Sequence, residues 1–425
     1  MKIRTLAVML AMLLLAAGCG NRDDEPTEEE KSAIDGTWEG TIEVPEQAIP
    51  IVLTFADDSG SLSIPSQGVT NYPLSTVKIE DPSVAFDVDL QGQRLLFEGQ
   101  LGTETIAGTF TQQGKSFPFE LKPAAQTPPE EPENAVETEV EGGMMNAVVD
   151  LPEGDGPHPV AILIAGSGPT DKDGNSVGFP GKNNSLKMIG EQLAEQGIAV
   201  IRYDKRGIGD NMEIGIEEED LRFEDFTKDA GAWIRFAKQD ERFADVSVIG
   251  HSEGALIGLI ASNEEGVDSY VSLTGVGRPS GELLREQLAS LPAEQLEEAE
   301  QILEQLEAGR TVDSVSSELQ PVFRPSVQPY LQSWMAHDPL VEVAKLDAPA
   351  LFVGGTRDLQ VPASDAELLY KAKTPDGELL VIDGMNHVLK PVADSEEENR
   401  KAYGDPDLPL ADGLIDGITA FLNDH

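Results

Sequence analysis

The stretch Val246 to Ala261 reads V-S-V-I-G-H-S-E-G-A-L-I-G-L-I-A. A β-branched run, Val246, Val248 and Ile249, enters Gly250-His251-Ser252-Glu253-Gly254 directly, and an apolar run of helical character leaves it without a spacer. This predicts a strand, a sharp turn and a helix. A serine on so tight a turn sits in a strained backbone conformation. Glycines two residues to either side are needed because a Cβ there would strike the adjoining strand or helix. The hydroxyl is thereby exposed, and the helix behind it aims unpaired N–H groups and a partial positive charge at the place where an oxyanion would form. A second G-x-S-x-G runs from Gly174 to Gly178, but P-T-D-K-D precedes it and F-P-G follows. With no strand entering and no helix leaving, Ser176 lacks the context that selects Ser252.

Around this stretch, strand and helix patterns alternate from Val140 onward, which predicts a mostly parallel sheet covered on both faces. Strands are expected at Met145 to Val149, Val160 to Ala165, Val200 to Tyr203, Val246 to Ile249, Tyr270 to Thr274, Ala350 to Val353 and Leu379 to Ile382. Helices are expected around Ser185 to Gln196, Phe223 to Lys238, Ala255 to Ser262, Ser364 to Lys371 and Leu410 to Leu422. The rhythm stops between Arg278 and Leu346. There Leu296, Ala299, Leu303 and Leu306 fall at helical spacing before Gly309, so an inserted helical cap, residues 278–346, is expected over the pocket.

Upstream, Pro123 to Glu139 is rich in proline and glutamate and reads as a semi-rigid linker, residues 123–139. Residues 33–122 carry short alternating runs broken by Gly, Pro, Asn and Asp, among them T-W-E-G-T-I-E-V and V-A-F-D-V-D-L. Seven or eight strands at that spacing predict a β-sandwich or small barrel. The aromatics Trp38, Phe55, Phe86, Phe97, Phe110 and Phe119 fall at alternating positions, as a core requires, and the segment has no histidine or cysteine. It reads as an accessory domain.

Residues 1–18 combine Lys2 and Arg4 with an apolar run from Leu6 to Leu15, as in a secretory signal peptide, and are too short and wrongly flanked for a spanning helix. Ala16-Ala17-Gly18-Cys19 resembles a bacterial lipobox, although Leu15 lies one place further from the cysteine than is usual. Cys19 is the only cysteine of the chain, so no internal disulfide can form and lipid attachment is the simplest use for it. Cleavage after Gly18 without a lipid is the alternative. Residues 19–32, charged and poor in apolar groups, read as an acidic tether. A lipid-anchored location at the bacterial cell envelope follows as an expectation.

The formal net charge is −47, from 77 acidic and 30 basic residues among 425. Phosphate binding needs the opposite sign, which argues against nucleic acid or an anionic membrane face as partner. We read the charge as solvation, suited to salt that screens self-repulsion, rather than as a field that steers substrate. The D-K-D-G at Asp171 to Gly174 lacks the further ligands and closing glutamate of a calcium loop. No zinc spacing and no phosphate-binding glycine motif appears, and no cofactor or metal is expected.

The segment from Val140 to His425 resembles the α/β-hydrolase superfamily, in particular its bacterial serine esterases and aminopeptidase-like hydrolases. Ser252 matches the family nucleophile. The resemblance places the acid after the next-to-last long strand, where A-L-F-V-G-G-T-R-D offers Asp358, and the base after the last strand, where L-L-V-I-D-G-M-N-H offers His387. It places half of the oxyanion hole in Ala165-Gly166-Ser167-Gly168-Pro169, which implies the backbone N–H of Ser167 beside that of Glu253. The chemistry agrees: a serine hydroxyl needs an imidazole to take its proton, and the imidazole needs a carboxylate to fix its tautomer. Among five histidines only His387 follows a strand with a long loop behind it, and Asp383 is the rival acid. R-Y-D-K-R-G-I-G-D resembles a recurrent loop of the superfamily, in which we expect Asp204 and Arg206 to pair with each other.

These readings imply a serine hydrolase cleaving carboxylic esters through an acyl-enzyme. A peptidase or thioesterase with the same triad, and a non-catalytic binding lipoprotein on the same fold, are the alternatives. In the cap, Trp334 is the residue expected to line the substrate pocket, with plain packing of cap on core as the other reading.

Overall fold

A computed structural model describes residues 34–425 apart from 45–46, 57–58, 65–68, 81, 91–92, 104, 113, 125–133, 177–180 and 374. The expected signal segment, Cys19 and the whole of the tether lie outside the described residues.

The N-terminal unit is built from β1 (Gly36–Val44), β2 (Gln47–Ala56), β3 (Ser59–Ile64), β4 (Val69–Pro73), β5 (Thr76–Glu80), β6 (Ser83–Leu90), β7 (Gln93–Leu101), β8 (Ile106–Gln112) and β9 (Lys115–Pro123). They form one nine-stranded antiparallel sheet in the order β4-β3-β2-β1-β9-β8-β7-β6-β5. The sheet curls on itself. Phe55 of β2 meets Phe86 of β6 at 5.3 Å, and Phe119 of β9 lies 5.3 Å from Phe97 of β7. The turn between the two edge strands bridges the gap, since Leu74 N–H bonds the Gly60 carbonyl and Ser75 N–H bonds that of Asp87. The expected aromatic core forms as the alternation requires, with Trp38, Phe55, Phe86, Phe97, Phe110 and Phe119 all buried. The strand missing from the expected set is β4, whose V-T-N-Y-P carries two polar residues and a proline and gives no alternating signal.

The second unit is an eight-stranded sheet of β10 (Ala135–Val140), β11 (Gly143–Asp150), β12 (His158–Ile164), β13 (Ala199–Tyr203), β14 (Phe243–His251), β15 (Ser269–Leu273), β16 (Ala350–Gly355) and β17 (Gly377–Ile382). The order is β10-β11-β13-β12-β14-β15-β16-β17, parallel from β13 through β17, with β10 and β11 antiparallel at one edge. Strands β13, β15 and β16 are buried at every position, which explains why they read as continuous apolar runs. The expected linker is shorter at its C-terminal end than its composition suggested: Ala135 to Glu139 pairs with β11. An edge strand exposed at alternate positions tolerates the Glu and Thr that made this stretch look like tether.

Helices α1 (Ser185–Glu195), α2 (Phe223–Gln239) and α3 (Glu253–Glu265) follow β12, β13 and β14. The insertion after β15 carries α4 (Ser280–Leu288), α5 (Ala293–Glu307), α6 (Gln320–Phe323), α7 (Gln328–Met335) and α8 (Pro339–Val343). The chain ends with α9 (Ala363–Ala372), α10 (Glu396–Ala402) and α11 (Leu414–Asp424). One face of the sheet buries α1 and α11, and the other buries α2, α3, α9 and the insertion. Helix α2 shows the logic: Phe223, Phe226, Ala230, Trp233, Ile234 and Ala237 fall on one buried stripe. Its Trp233 also donates Nε1–H to the Met145 sulfur at 3.2 Å.

The insertion is pinned at both ends of its reach. Asp365 of α9 takes two hydrogen bonds from Arg278, each 3.0 Å, and one from Gly277 N–H at 2.9 Å. At the other side Phe223 N–H, unsatisfied within α2 because it opens the helix, donates to Ser333 Oγ of α7 at 2.8 Å.

Candidate active site

Ser252 stands between β14 and α3 at φ 54° and ψ −121°, a conformation open almost only to glycine that here costs on the order of 1–3 kcal/mol. Packing enforces it. A Cβ on Gly250 would lie 2.3 Å from the Gly254 carbonyl oxygen, and one on Gly254 would lie 2.5 Å from the carbonyl oxygens of Ile164 and Ala165. The turn is therefore as tight as the glycine spacing predicts. Ser176, by contrast, lies in a loop, its Oγ 3.1 Å from Thr170 Oγ1.

Ser252 Oγ is 3.0 Å from His387 Nε2, and His387 Nδ1 is 2.8 Å from Asp358 Oδ2. The three side chains follow the ends of β14, β16 and β17, parallel strands of one sheet whose C-terminal ends face the same crevice, with β15 between the first two. The second oxygen of Asp358 accepts the N–H groups of Gln360 and Val361 at 2.8 and 2.9 Å, which fixes the carboxylate. Asp383 is exposed and accepts a bond from Thr356 Oγ1 at 2.9 Å, with none to His387. The loop bearing His387 presses on the end of β16 so closely that a Cβ on Gly355 would meet the Met385 carbonyl oxygen at 2.3 Å.

The other predicted residues gather here too. Glu253 opens α3, so its N–H is one of the unpaired donors of that helix end. Gly166, the residue before Ser167, abuts the nucleophile, a Cβ on it lying 3.2 Å from Ser252 Cβ. Trp334 of α7 lines a cavity with Ser252, Leu256, Val276, Arg278 and Pro339. It also stacks on Phe223, ring centroids 6.5 Å apart and 12° from parallel. The ring thus borders the cavity beside Ser252 and packs on α2 at once.

One expected contact does not form. Asp204 pairs with Lys172 at 2.9 Å, and Arg206 makes a two-pronged pair with Asp229 of α2 at 2.8 and 2.5 Å. The two side chains leave the loop toward different neighbours, Asp204 toward the 171–175 loop and Arg206 toward α2. Asp171 and Asp173 are likewise spent internally, on the N–H groups of Asp173 and Asn175 and on Arg202.

Sequence reasoning passed over three residues of the site. His251, the variable position of the turn, holds its Nε2 2.8 Å from the His387 carbonyl oxygen, and burial, together with the charge on His387, pushes its pKa down to about 4. Lys205 is buried, with Nζ 3.1 Å from Glu253 Oε2, 3.0 Å from the Gly166 carbonyl oxygen and 4.3 Å from the centre of the Phe226 ring. Tyr330 of α7 donates its hydroxyl to Glu253 Oε1 at 2.5 Å, and its pKa is pushed well up by burial and by that carboxylate. Only tertiary packing unites them, and no local pattern announces it.

Residues 178–276 match the family described as serine aminopeptidase, S33. Esterase EstD of Thermotoga maritima is 28% identical over 295 residues, which cover 67% of this chain and 66% of that enzyme, so the chain spans just under two thirds of that relative's length. Among solved structures, Est1E from Butyrivibrio proteoclasticus with ferulic acid bound is 20% identical, with a TM-score of 0.47 over 68% of this chain and 96% of that one. The esterase domain of a Rhodothermus marinus protein is 16% identical, with a TM-score of 0.42 over 68% and 98%. A parallel sheet with antiparallel edge strands, a serine on a glycine-bounded turn at its centre and the sequence similarity to EstD agree, and the chain has the α/β-hydrolase fold.

Proposed function

We propose that this protein hydrolyses carboxylic esters through an acyl-enzyme on Ser252. The observation that carries the reading is the unbroken hydrogen-bonded chain Ser252–His387–Asp358, at 3.0 and 2.8 Å. His387 Nε2 takes the proton of Ser252 Oγ as the oxygen attacks the acyl carbon, and Asp358 holds the Nδ1–H that this tautomer needs. The tetrahedral oxyanion is met by the N–H groups of Glu253 and Ser167, each such donor worth ~3 kcal/mol to the transition state. The proton on His387 then passes to the leaving alcohol. Water, deprotonated by the same imidazole, releases the acid and restores Ser252.

The kinship to a serine aminopeptidase family supports a second reading, cleavage of aminoacyl amides. Recognition of a free amine calls for an unspent carboxylate beside the nucleophile. Glu253 is engaged by Lys205 and Tyr330, and Asp358 by His387, while Leu256, Val276, Pro339 and Trp334 give the cavity an apolar wall. This favours esters. The cavity measures about 10 Å³, room for about one water, so an acyl chain needs space beyond it.

The purified protein should cleave acyl esters faster than aminoacyl amides or thioesters, and Ser252→Ala should abolish the activity. Turnover that survives in Ser252→Ala would rule out this mechanism. We further propose export and a lipid on Cys19 at the bacterial cell envelope, supported by the leader composition and by the lone cysteine. A fatty-acid analogue should label the wild type and not Cys19→Ala; an unlabelled, freely soluble wild type would contradict the anchor.

A further inference from the structure

We infer that Lys205 is a positioning residue for the oxyanion hole, and that Tyr330 ties it to the insertion above the site. The inference rests on the ester-hydrolase reading and adds to it. Lys205 Nζ donates to the Gly166 carbonyl oxygen at 3.0 Å. That carbonyl belongs to the peptide whose N–H is that of Ser167. A trans peptide is planar, with C=O and N–H pointing in opposite directions. Holding the oxygen from one side therefore sets the direction of the N–H on the other, toward Ser252, against which Gly166 is packed.

The contact is also electrostatic. An ammonium on the carbonyl draws electron density away from the peptide nitrogen and makes its N–H a stronger donor, as along any polarised hydrogen-bond chain in a low-dielectric interior. The cation itself lies one peptide away from where negative charge develops.

Glu253 closes the circuit. Its N–H is the second donor, and its carboxylate takes Lys205 on one oxygen at 3.1 Å and the Tyr330 hydroxyl on the other at 2.5 Å. The side chains of Lys205 and Glu253 are 5% and 2% exposed, so neither charge has water as an alternative partner. Phe226 covers the ammonium from α2. The two donor segments, Gly166-Ser167 and the start of α3, are thus joined through one buried ion pair, and Tyr330 of α7 holds that pair from the insertion. The Tyr330 bond is thus the direct link between the insertion and the donor geometry.

The relevant variant removes the pair as a unit, Lys205→Met/Glu253→Leu, since deleting one charge would strand the other in the interior. The Glu253 N–H is kept. Removing an oxyanion donor outright costs about 10²–10³ in kcat, so misaiming one should cost roughly tenfold or more, with KM within about twofold. Affinity for an alkyl boronic acid, which forms a tetrahedral adduct on Ser252, should fall in step with kcat, while inhibition by the carboxylic acid product stays constant. Tyr330→Phe, which deletes only a hydroxyl, should lower kcat severalfold with KM unchanged. It serves as the independent variant should the double change prevent folding. A folded double variant with kcat within twofold of wild type, or a Tyr330→Phe enzyme with unaltered kcat and boronate affinity, overturns the inference while Ser252→Ala still tests the ester reading separately.

Discussion

Asp358 and His387, 29 positions apart, meet at 2.8 Å, whereas Asp383, much nearer to His387 in sequence, turns instead to Thr356. The reason lies in the sheet. Strands β16 and β17 are parallel neighbours, so the loops leaving their C-terminal ends lie side by side, and a residue beyond one strand reaches across to a residue beyond the next. Asp358→Asn should keep the fold yet lower kcat by roughly 10⁴-fold, because an amide no longer enforces the His387 tautomer. Asp383→Asn, an exposed change, should stay within about twofold. Steady-state kinetics on a short acyl ester with melting curves on both variants decides between them, and a large kcat loss in Asp383→Asn would reverse the assignment.

The site was legible where chemistry demands a local pattern. Ser252 is marked by its glycines, and Asp358 and His387 by standing after apolar runs where the α/β-hydrolase resemblance expects an acid and a base. Lys205 and Tyr330 were not legible. Their partners lie 48 and 77 residues away, and a lysine in R-Y-D-K-R or a tyrosine in the insertion carries no periodicity that distinguishes a buried relay from a surface residue. The expected pairing of Asp204 with Arg206 failed for the same reason: closeness in sequence suggested a contact, and the packing of α2 and of the 171–175 loop decided otherwise. In the β units, β4 and β10 escaped notice because edge strands accept polar residues and proline, which erases the alternation.

His251 makes stability depend on acid. Its pKa falls from 6.5 in the unfolded chain to about 4 in the fold, so between those values the unfolded chain binds the proton and the native state does not. Native stability contributed by the neutral ring is complete above pH 6.5 and is lost as pH falls toward 4. At about 1.4 kcal/mol per pH unit the loss is of order 3 kcal/mol. The groups facing the ring are the His387 carbonyl and imidazole, Asp358 beyond it, and the Gly166 backbone. Urea unfolding of wild type and His251→Gln at pH 7, 5 and 4 should show the wild type losing more stability than the variant over this range. Parallel losses in the two proteins would mean that another group is responsible.

Trp334 touches two surfaces whose roles a substitution can separate. Its indole stacks on Phe223, whose own N–H anchors α7 through Ser333, so the ring holds the insertion onto α2. The same ring is part of the wall facing Ser252. Trp334→Ala should therefore destabilise the protein by ~3–5 kcal/mol through lost packing. It should also open the small cavity toward α2, and the acyl chain, not the leaving group, should feel the added space. Each methylene accommodated in an apolar pocket is worth on the order of 1 kcal/mol, so the ratio of kcat/KM on an octanoyl ester to that on an acetyl ester should rise by about tenfold or more. Trp334→Phe, which keeps an aromatic face for Phe223, should recover much of the stability and shift the ratio less. A sharp drop in melting temperature with an unchanged octanoyl-to-acetyl ratio would show that the indole packs the insertion and takes no part in selecting the acyl group.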